Sequence, residues 1–189
     1  MSLNEIIDLS HVWGYIKHIA KERLHNNITA RHVYKYGPEI EVVGAAGELA
    51  ARISLDLPQK LHTQFDGGKD LVFGDQSIDV KSTRLTPHIQ ARHLQWPLGN
   101  PINCDVAILV GVDMQSRSAK VLGFATAQEI LQAPVNYSRY LPCQEIAISQ
   151  LHPIEELYAH NRRNPNPTIQ VPANRKSHGT PQRRTHQRS

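Results

Sequence analysis

Between Phe65 and Thr83 the chain reads FDGGKDLVFGDQSIDVKST, with four aspartates and two lysines set among alternating apolar residues. The runs on either side of Gly74-Asp75 have strand composition, and Gly-Asp between two such runs is a two-residue hairpin turn. Strands are expected at Lys69–Phe73 and Ser77–Thr83. A two-residue turn pairs Phe73 with Gln76, Val72 with Ser77, Leu71 with Ile78, and Asp70 with Asp79. Period-two alternation puts Asp79 and Lys81 on one face of the second strand and Ile78 and Val80 on the other. Directly opposed carboxylates repel. The pair makes physical sense if a cation lies between them or if one carboxyl keeps its proton. Hard cations take oxygen ligands, and Mg²⁺ is typically held by one or two carboxylates with water and phosphate. Lys81 has two readings: an ammonium that orients water and stabilises growing negative charge, or a counter-ion for Asp79 two residues away.

Upstream, EIEVVGAAGELAARISL has helical spacing over Pro38 to Leu55, with Pro38 suited to the first turn. Val42, Ala46, Leu49 and Ile53 form one apolar stripe. Gly44, Gly47, Glu48 and Ala51 form a second face of small residues around one glutamate. Two glycines inside a helix cost roughly 1 kcal/mol each relative to alanine, so that face is expected to admit another backbone. Glu48 is then either solvated or a carboxylate held against the sheet.

The remaining elements follow from pattern. Leu3–Leu24 is expected to be helical, with a break near Ser10. Leu85–Trp96 is expected as a short helix after Pro87, Cys104–Val112 as a buried strand and Ala119–Ala125 as its hairpin partner. Ala127–Gln132 reads as a helix capped by Thr126, Ile146–Ile148 as a last strand and Pro153–His160 as a closing helix. His11, His18, His25 and His32 recur every seven residues, but two helical turns span roughly 10 Å, too far for one metal ion.

The chain has 189 residues with 21 Lys/Arg against 17 Asp/Glu and a net charge of +4. Seven of those basic residues and no acid lie between Asn161 and Ser189, so residues 1–160 hold 14 basic against 17 acidic residues, a charge of −3. The tail, rich in Pro, Asn, Arg and Ser, has too little apolar surface to offset ordering and is expected to be disordered. Arg162, Arg163, Arg175, Lys176, Arg183 and Arg184 give it a salt-dependent attraction to nucleic-acid phosphates. The two cysteines form no CxxC pair, which fits a reducing cytosol rather than a disulfide scaffold. No apolar run reaches the ~20 residues of a membrane span, and the N-terminus lacks the pattern of a secretory signal.

Gly47-Glu48 on a helix, Asp70 on one strand, Asp79-Val80-Lys81 on the next and a buried strand after it together resemble the PD-(D/E)XK nuclease superfamily. The later stretches CDVAILVGVD, KVLGFATAQEI and LHPIEELY resemble the C-terminal half of small phage and bacterial nucleases of this type, so the similarity runs from about Glu39 to Tyr158. The resemblance implies a restriction-endonuclease-like α/β core over residues 37–160, with a central mixed sheet flanked by helices. An N-terminal helical segment, residues 1–36, packs on it, and the basic tail is residues 161–189. It implies Mg²⁺- or Mn²⁺-dependent hydrolysis of DNA phosphodiesters in the cytoplasm of a bacterium or a phage-infected host. Asp70, Asp79 and the Val80 carbonyl are the implied metal ligands, with Glu48 binding directly or through water and Lys81 positioning the nucleophilic water. Asp66, in an Asp-Gly-Gly turn, competes with Asp70. Lys69 stands where the family motif has proline, and no Gln-xxx-Tyr follows Lys81, which argues against a RecB-type exonuclease. Gln90, His93 and Gln95 could reach DNA or metal from the segment after the hairpin, but nothing in their spacing demands it. A non-catalytic DNA-binding or assembly protein on the same fold is the alternative, and a homodimer is compatible with cutting two strands.

Overall fold

A computed structural model of the protein describes residues 5–26, 37–63, 69–86, 91–138 and 141–163, with the backbone alone for residues 160–163. The elements are β1 (Ile7–Asp8), a 3₁₀ turn (Ser10–Val12), α1 (Trp13–Asn26), α2 (Glu39–Ser54), β2 (Leu71–Phe73), β3 (Gln76–Leu85), β4 (His93–Pro97), β5 (Val106–Asp113), β6 (Ser118–Thr126), α3 (Ala127–Gln132), β7 (Val135–Asn136), β8 (Cys143–Ala147), a second 3₁₀ turn (Ile148–Gln150) and α4 (Glu155–Arg163). A five-stranded mixed sheet has the order β1-β6-β5-β3-β2, and a three-stranded sheet has the order β4-β8-β7. The architecture is α/β, with helices against the mixed sheet.

β3 and β5 form the spine. They run parallel through eight pairs from Ile78↔Val106 to Leu85↔Asp113. β5, VAILVGVD, is buried along nearly its whole length, as expected of a parallel strand covered on both faces. Its alternate residues feed two cores. Val106, Ile108, Val110 and Val112 pack with α1 and α2, whereas Ala107 and Leu109 pack with Leu94, Trp96 and Ile146 of the small sheet and with Ile130 of α3. β5 pairs antiparallel with β6, and the register slips between Leu109 and Val110. Gly123 lies at this irregularity with φ +136°, and a Cβ there would fall 2.8 Å from the His152 carbonyl oxygen. Glycine therefore admits the bridge between Phe124 and His152.

α2 begins after Pro38 with Glu39 and Glu41 in its first turn, where carboxylates favour the helix dipole. It ends on Asp56 at φ +53°. Leu57 N donates to Arg52 O at 2.8 Å and Asp56 N to Ile53 O at 3.2 Å, a Schellman closure that turns the chain back toward the sheet. α3 has the expected Thr126 cap, completed as a capping box by Glu129.

Four expectations are corrected. The N-terminal segment is not wholly helical: Ile7 and Asp8 add an edge strand to β6, paired with Ala119 and Ser118. The Asp8 carboxylate accepts from Ser10 N at 2.8 Å, a local bond that competes with helix. Leu85–Trp96 is not a helix. β3 runs on to Leu85, and His93–Pro97 is a strand on β8, with Leu94 and Trp96 buried at period two. The last strand is Cys143–Ala147 rather than Ile146–Ile148, and α4 carries the chain through Arg163, past the expected start of the tail at Asn161. Residues 164–189, and with them Arg175, Lys176, Arg183 and Arg184, lie outside the described residues.

Candidate functional site

The hairpin folds in the expected register: Leu71 pairs with Ile78, Val72 with Ser77 and Phe73 with Gln76. Gly74 takes φ +65° in the turn. Asp70 lies immediately before β2, its N–H donating to Ile78 O at 2.9 Å. Its carboxylate Oδ2 accepts from Val80 N at 2.6 Å. The carboxyl is thus aimed back across the strand pair onto the segment that carries Asp79.

Asp79 is 5 % exposed. Lys81 Nζ closes an ion pair on Asp79 Oδ2, yet that oxygen accepts no well-directed hydrogen bond among the described residues. The lysine supplies charge without satisfying the directional bond, and its nitrogen also stands 4.3 Å from the centre of the Trp96 ring. Asp70 is pushed up to about 8, by burial first and then by the negative charges of Glu48 and Asp79, against the pull of the Val80 N–H. Carboxylates in one dry volume cannot all ionise without a counter-charge.

Glu48 reaches this neighbourhood from α2 and is 8 % exposed. Gly47 brings the helix in: a Cβ on it would meet Ser82 Oγ at 1.9 Å. Gly44, by contrast, has nothing within 4 Å where a Cβ would stand, so the close approach expected of both glycines belongs to Gly47 alone. Glu48 is held against the sheet rather than solvated. Arg23 of α1 grips both its oxygens, Nη1 to Oε1 at 2.5 Å and Nη2 to Oε2 at 2.7 Å, and Arg23 Nε donates to His62 O at 2.8 Å. Such a fork is the strong geometry for a carboxylate. Arg52, also buried, donates from Nη2 to Asp70 O at 2.9 Å and so fixes the Asp70 backbone.

Sequence reasoning does not single out Arg23 or Arg52. The available signal is indirect: a buried glutamate requires a buried cation, but nothing in the spacing of α1 says which one. Val80 contributes its N–H to Asp70 and its side chain to the helix-side core. Asp66 and Gln90 lie outside the described residues. Arg162 and Arg163 fall in the last turn of α4. His93 and Gln95 line a cavity of about 530 Å³, together with Lys81, Thr83, Arg92 and Glu145.

Among the described residues no group of three His, Cys, Asp or Glu side chains is disposed to hold a metal ion. The carboxylates that remain for one are Asp70 and Asp79, since both Glu48 oxygens are committed to Arg23. Two carboxylates, one held neutral by its surroundings and one with an oxygen lacking a hydrogen bond, suit a small hard cation that keeps most of its water. Among the described residues no helix is long and apolar enough to cross a membrane. Comparisons with protein-family models, curated proteins and solved structures find no match to this chain.

Proposed function

We propose that the chain is a divalent-metal-dependent deoxyribonuclease with a PD-(D/E)XK-like site. The observation that carries this reading is the hairpin geometry: Asp70 bonded onto Val80 beside Asp79, with Lys81 on the same strand face as Asp79. Asp70 and Asp79 would hold Mg²⁺ or Mn²⁺. When bound, the metal polarises the phosphate and lowers the pKa of a coordinated water. Lys81 stands at the cavity with its ammonium partly exposed, suited to neutralise charge growing on a phosphate oxygen. Glu48 acts at one remove, its negative charge fixed by Arg23, so that it shapes the field around Asp70. The basic residues from Arg162 onward would raise the local concentration of DNA. A homodimer would present two such sites to the two strands.

Incubating the protein with linear, circular and branched DNA, and with RNA as control, tests the reading. Cleavage is expected with Mg²⁺ or Mn²⁺, to stop with EDTA and to be lost in Asp79→Asn. Intact DNA under all metal conditions would reject it.

One observation favours the second reading, a non-catalytic DNA-binding protein: Glu48 and Asp79 are already neutralised by Arg23 and Lys81. A module of that kind would bind DNA without showing a Mg²⁺-linked rise in melting temperature, whereas a working metal site gains stability by mass action.

A further inference from the structure

Lys81 has a neighbour that the hairpin does not supply. Asp79 and Lys81 pair with Ala107 and Leu109 in the parallel ladder, so the four residues share one face of the central sheet. The small sheet covers that face: Leu94, Trp96 and Ile146 pack in one core with Ala107 and Leu109. Trp96 is the part of this cover that meets the lysine, with Lys81 Nζ 4.3 Å from its ring centre. The ring is itself fixed. Trp96 is 5 % exposed, and its Nε1 donates to Asn100 O at 3.2 Å. Asn100 is held by its own N–H, which donates to Pro97 O at 3.1 Å, across a bend where Gly99 takes φ +87°. The core holds the body of the indole and the bend holds its edge.

Three directions around the ammonium are therefore defined. Asp79 takes one as an ion pair. The ring face takes a second. The third opens on the cavity that Lys81 lines, where its side chain is 35 % exposed. A lysine carries its charge on a flexible four-carbon stem, and an ion pair alone fixes the distance of that charge more than its direction. An aromatic face adds direction, because the ring quadrupole draws a cation over the ring. We infer that Trp96 is a positioning residue for Lys81. Its ring keeps the ammonium beside Asp79 and leaves the open side of the ammonium toward the cavity, from which a phosphate would approach. The small sheet thereby enters the site through one side chain. What Lys81 does to a phosphate rests on the nuclease reading, whereas the hold of the ring on the ammonium is a property of the folded chain alone.

A tryptophan that only fills the core serves equally well whatever the charge on its face. Fluorine on the indole draws electron density out of that face and largely keeps its shape and its N–H. Fluorinated tryptophans installed in place of Trp96 in the full-length protein therefore separate the two roles. The first readout is the NMR spectrum of isotope-labelled lysine in EDTA. The Cε protons of Lys81, beside the ring face, are expected upfield of those of Lys17, which is exposed on α1. That displacement should shrink stepwise with one, two and three fluorines, by about half at the end of the series, as the attraction weakens. A displacement absent from the parent, or equal across the series, would overturn the inference.

The second readout is DNA cleavage in Mg²⁺. Over the series kcat is expected to fall stepwise by about tenfold, within the range for a partly desolvated cation–ring contact, while KM stays within about twofold. A flat kcat in an active enzyme would overturn the positioning role. A graded lysine displacement with no cleavage by any form would remove the nuclease reading and leave the hold of Trp96 on Lys81. Cleavage without a graded displacement would do the reverse. If the fluorinated forms do not fold, Trp96→Phe takes their place: phenylalanine keeps a face and should preserve the upfield displacement, and its loss in the folded variant counts against.

Discussion

At Asp70, burial and two neighbouring carboxylates act in one direction. Its pKa of about 8 means that the folded protein holds a proton that an unfolded chain, with an ordinary value of 3.8, releases. For an acid with a raised pKa, the folded state is favoured at low pH, and stability falls as pH rises between roughly 4 and 8. A bound cation would remove that loss by taking the proton's place, so metal binding should release a proton and strengthen with pH. The Mg²⁺-linked rise in melting temperature is therefore expected to be larger at pH 8.5 than at pH 6, and to disappear in Asp70→Asn. A rise that does not change between those pH values would separate Asp70 from the metal. The arginines belong to the same balance. Arg23 fixes both oxygens of Glu48, which makes Glu48 a source of field rather than a spare ligand.

The elements carry the site through the hairpin and through the approach of α2 to the sheet at Gly47. Gly47→Ala must push the helix off Ser82 and displace Glu48. Overpacking of this kind costs typically 1–3 kcal/mol, and a lowered melting temperature that Ser82→Gly partly restores is the expected result. Gly44→Ala meets open space and should stabilise by up to about 1 kcal/mol through helix propensity. The periodicity of α2 makes both glycines equivalent, because period alone does not say which turn of a helix touches a strand. The register of the hairpin is legible, since turn chemistry and alternation fix it together, but Lys69 and Asp70, expected in the first strand with Asp70 opposite Asp79, fall outside the ladder, which starts at Leu71. β4 is not legible: Leu94 and Trp96 are too few to reveal a period, and the strand exists because β8 pairs with it. β1 is hidden for a similar reason, as two residues acquire strand geometry only from the β6 edge. At the far end of β6, His152 Nε2 lies 2.6 Å from Glu129 Oε1, and its Nδ1 lies 3.3 Å from Glu156. The hydrogen bond to Glu129 raises His152 above 6.5, and Glu129 falls below 4.5 despite some burial, through its bonds to His152 and Thr126. The pair's contribution is therefore complete below the unfolded histidine value and above the unfolded glutamate value. It fades as pH rises through the folded His152 pKa or falls through that of Glu129. Because both groups are more than a third exposed, the effect is small, up to about 1 kcal/mol. His152→Gln should lower the melting temperature most near pH 5.5 and least above pH 8, as read from thermal melts across that range.

At the scale of the whole molecule, charge is divided between an acidic body and a basic C-terminal stretch. Residues 164–189 contribute five of the Lys/Arg residues and no acid. Removing them should weaken DNA binding and flatten its salt dependence by up to about 0.9 in log–log slope for each phosphate no longer neutralised, while cleavage at saturating DNA persists. Equal slopes for the two forms would assign the stretch another role. Chain distance also explains which parts of the candidate site are legible in the sequence. Asp70, Asp79 and Lys81 are close in sequence, so a single hairpin brings them together, whereas Arg23, Arg52 and the cavity around Glu145 are assembled only by the packing of distant elements. The most direct test of the central claim is supercoiled-plasmid cleavage in Mg²⁺ by the parent protein and by Lys81→Ala, with melting curves establishing that both are folded. Metal-dependent conversion to open or linear DNA by the parent, and its loss in folded Lys81→Ala, is the predicted result. A folded Lys81→Ala that cuts as fast as the parent would contradict the mechanism.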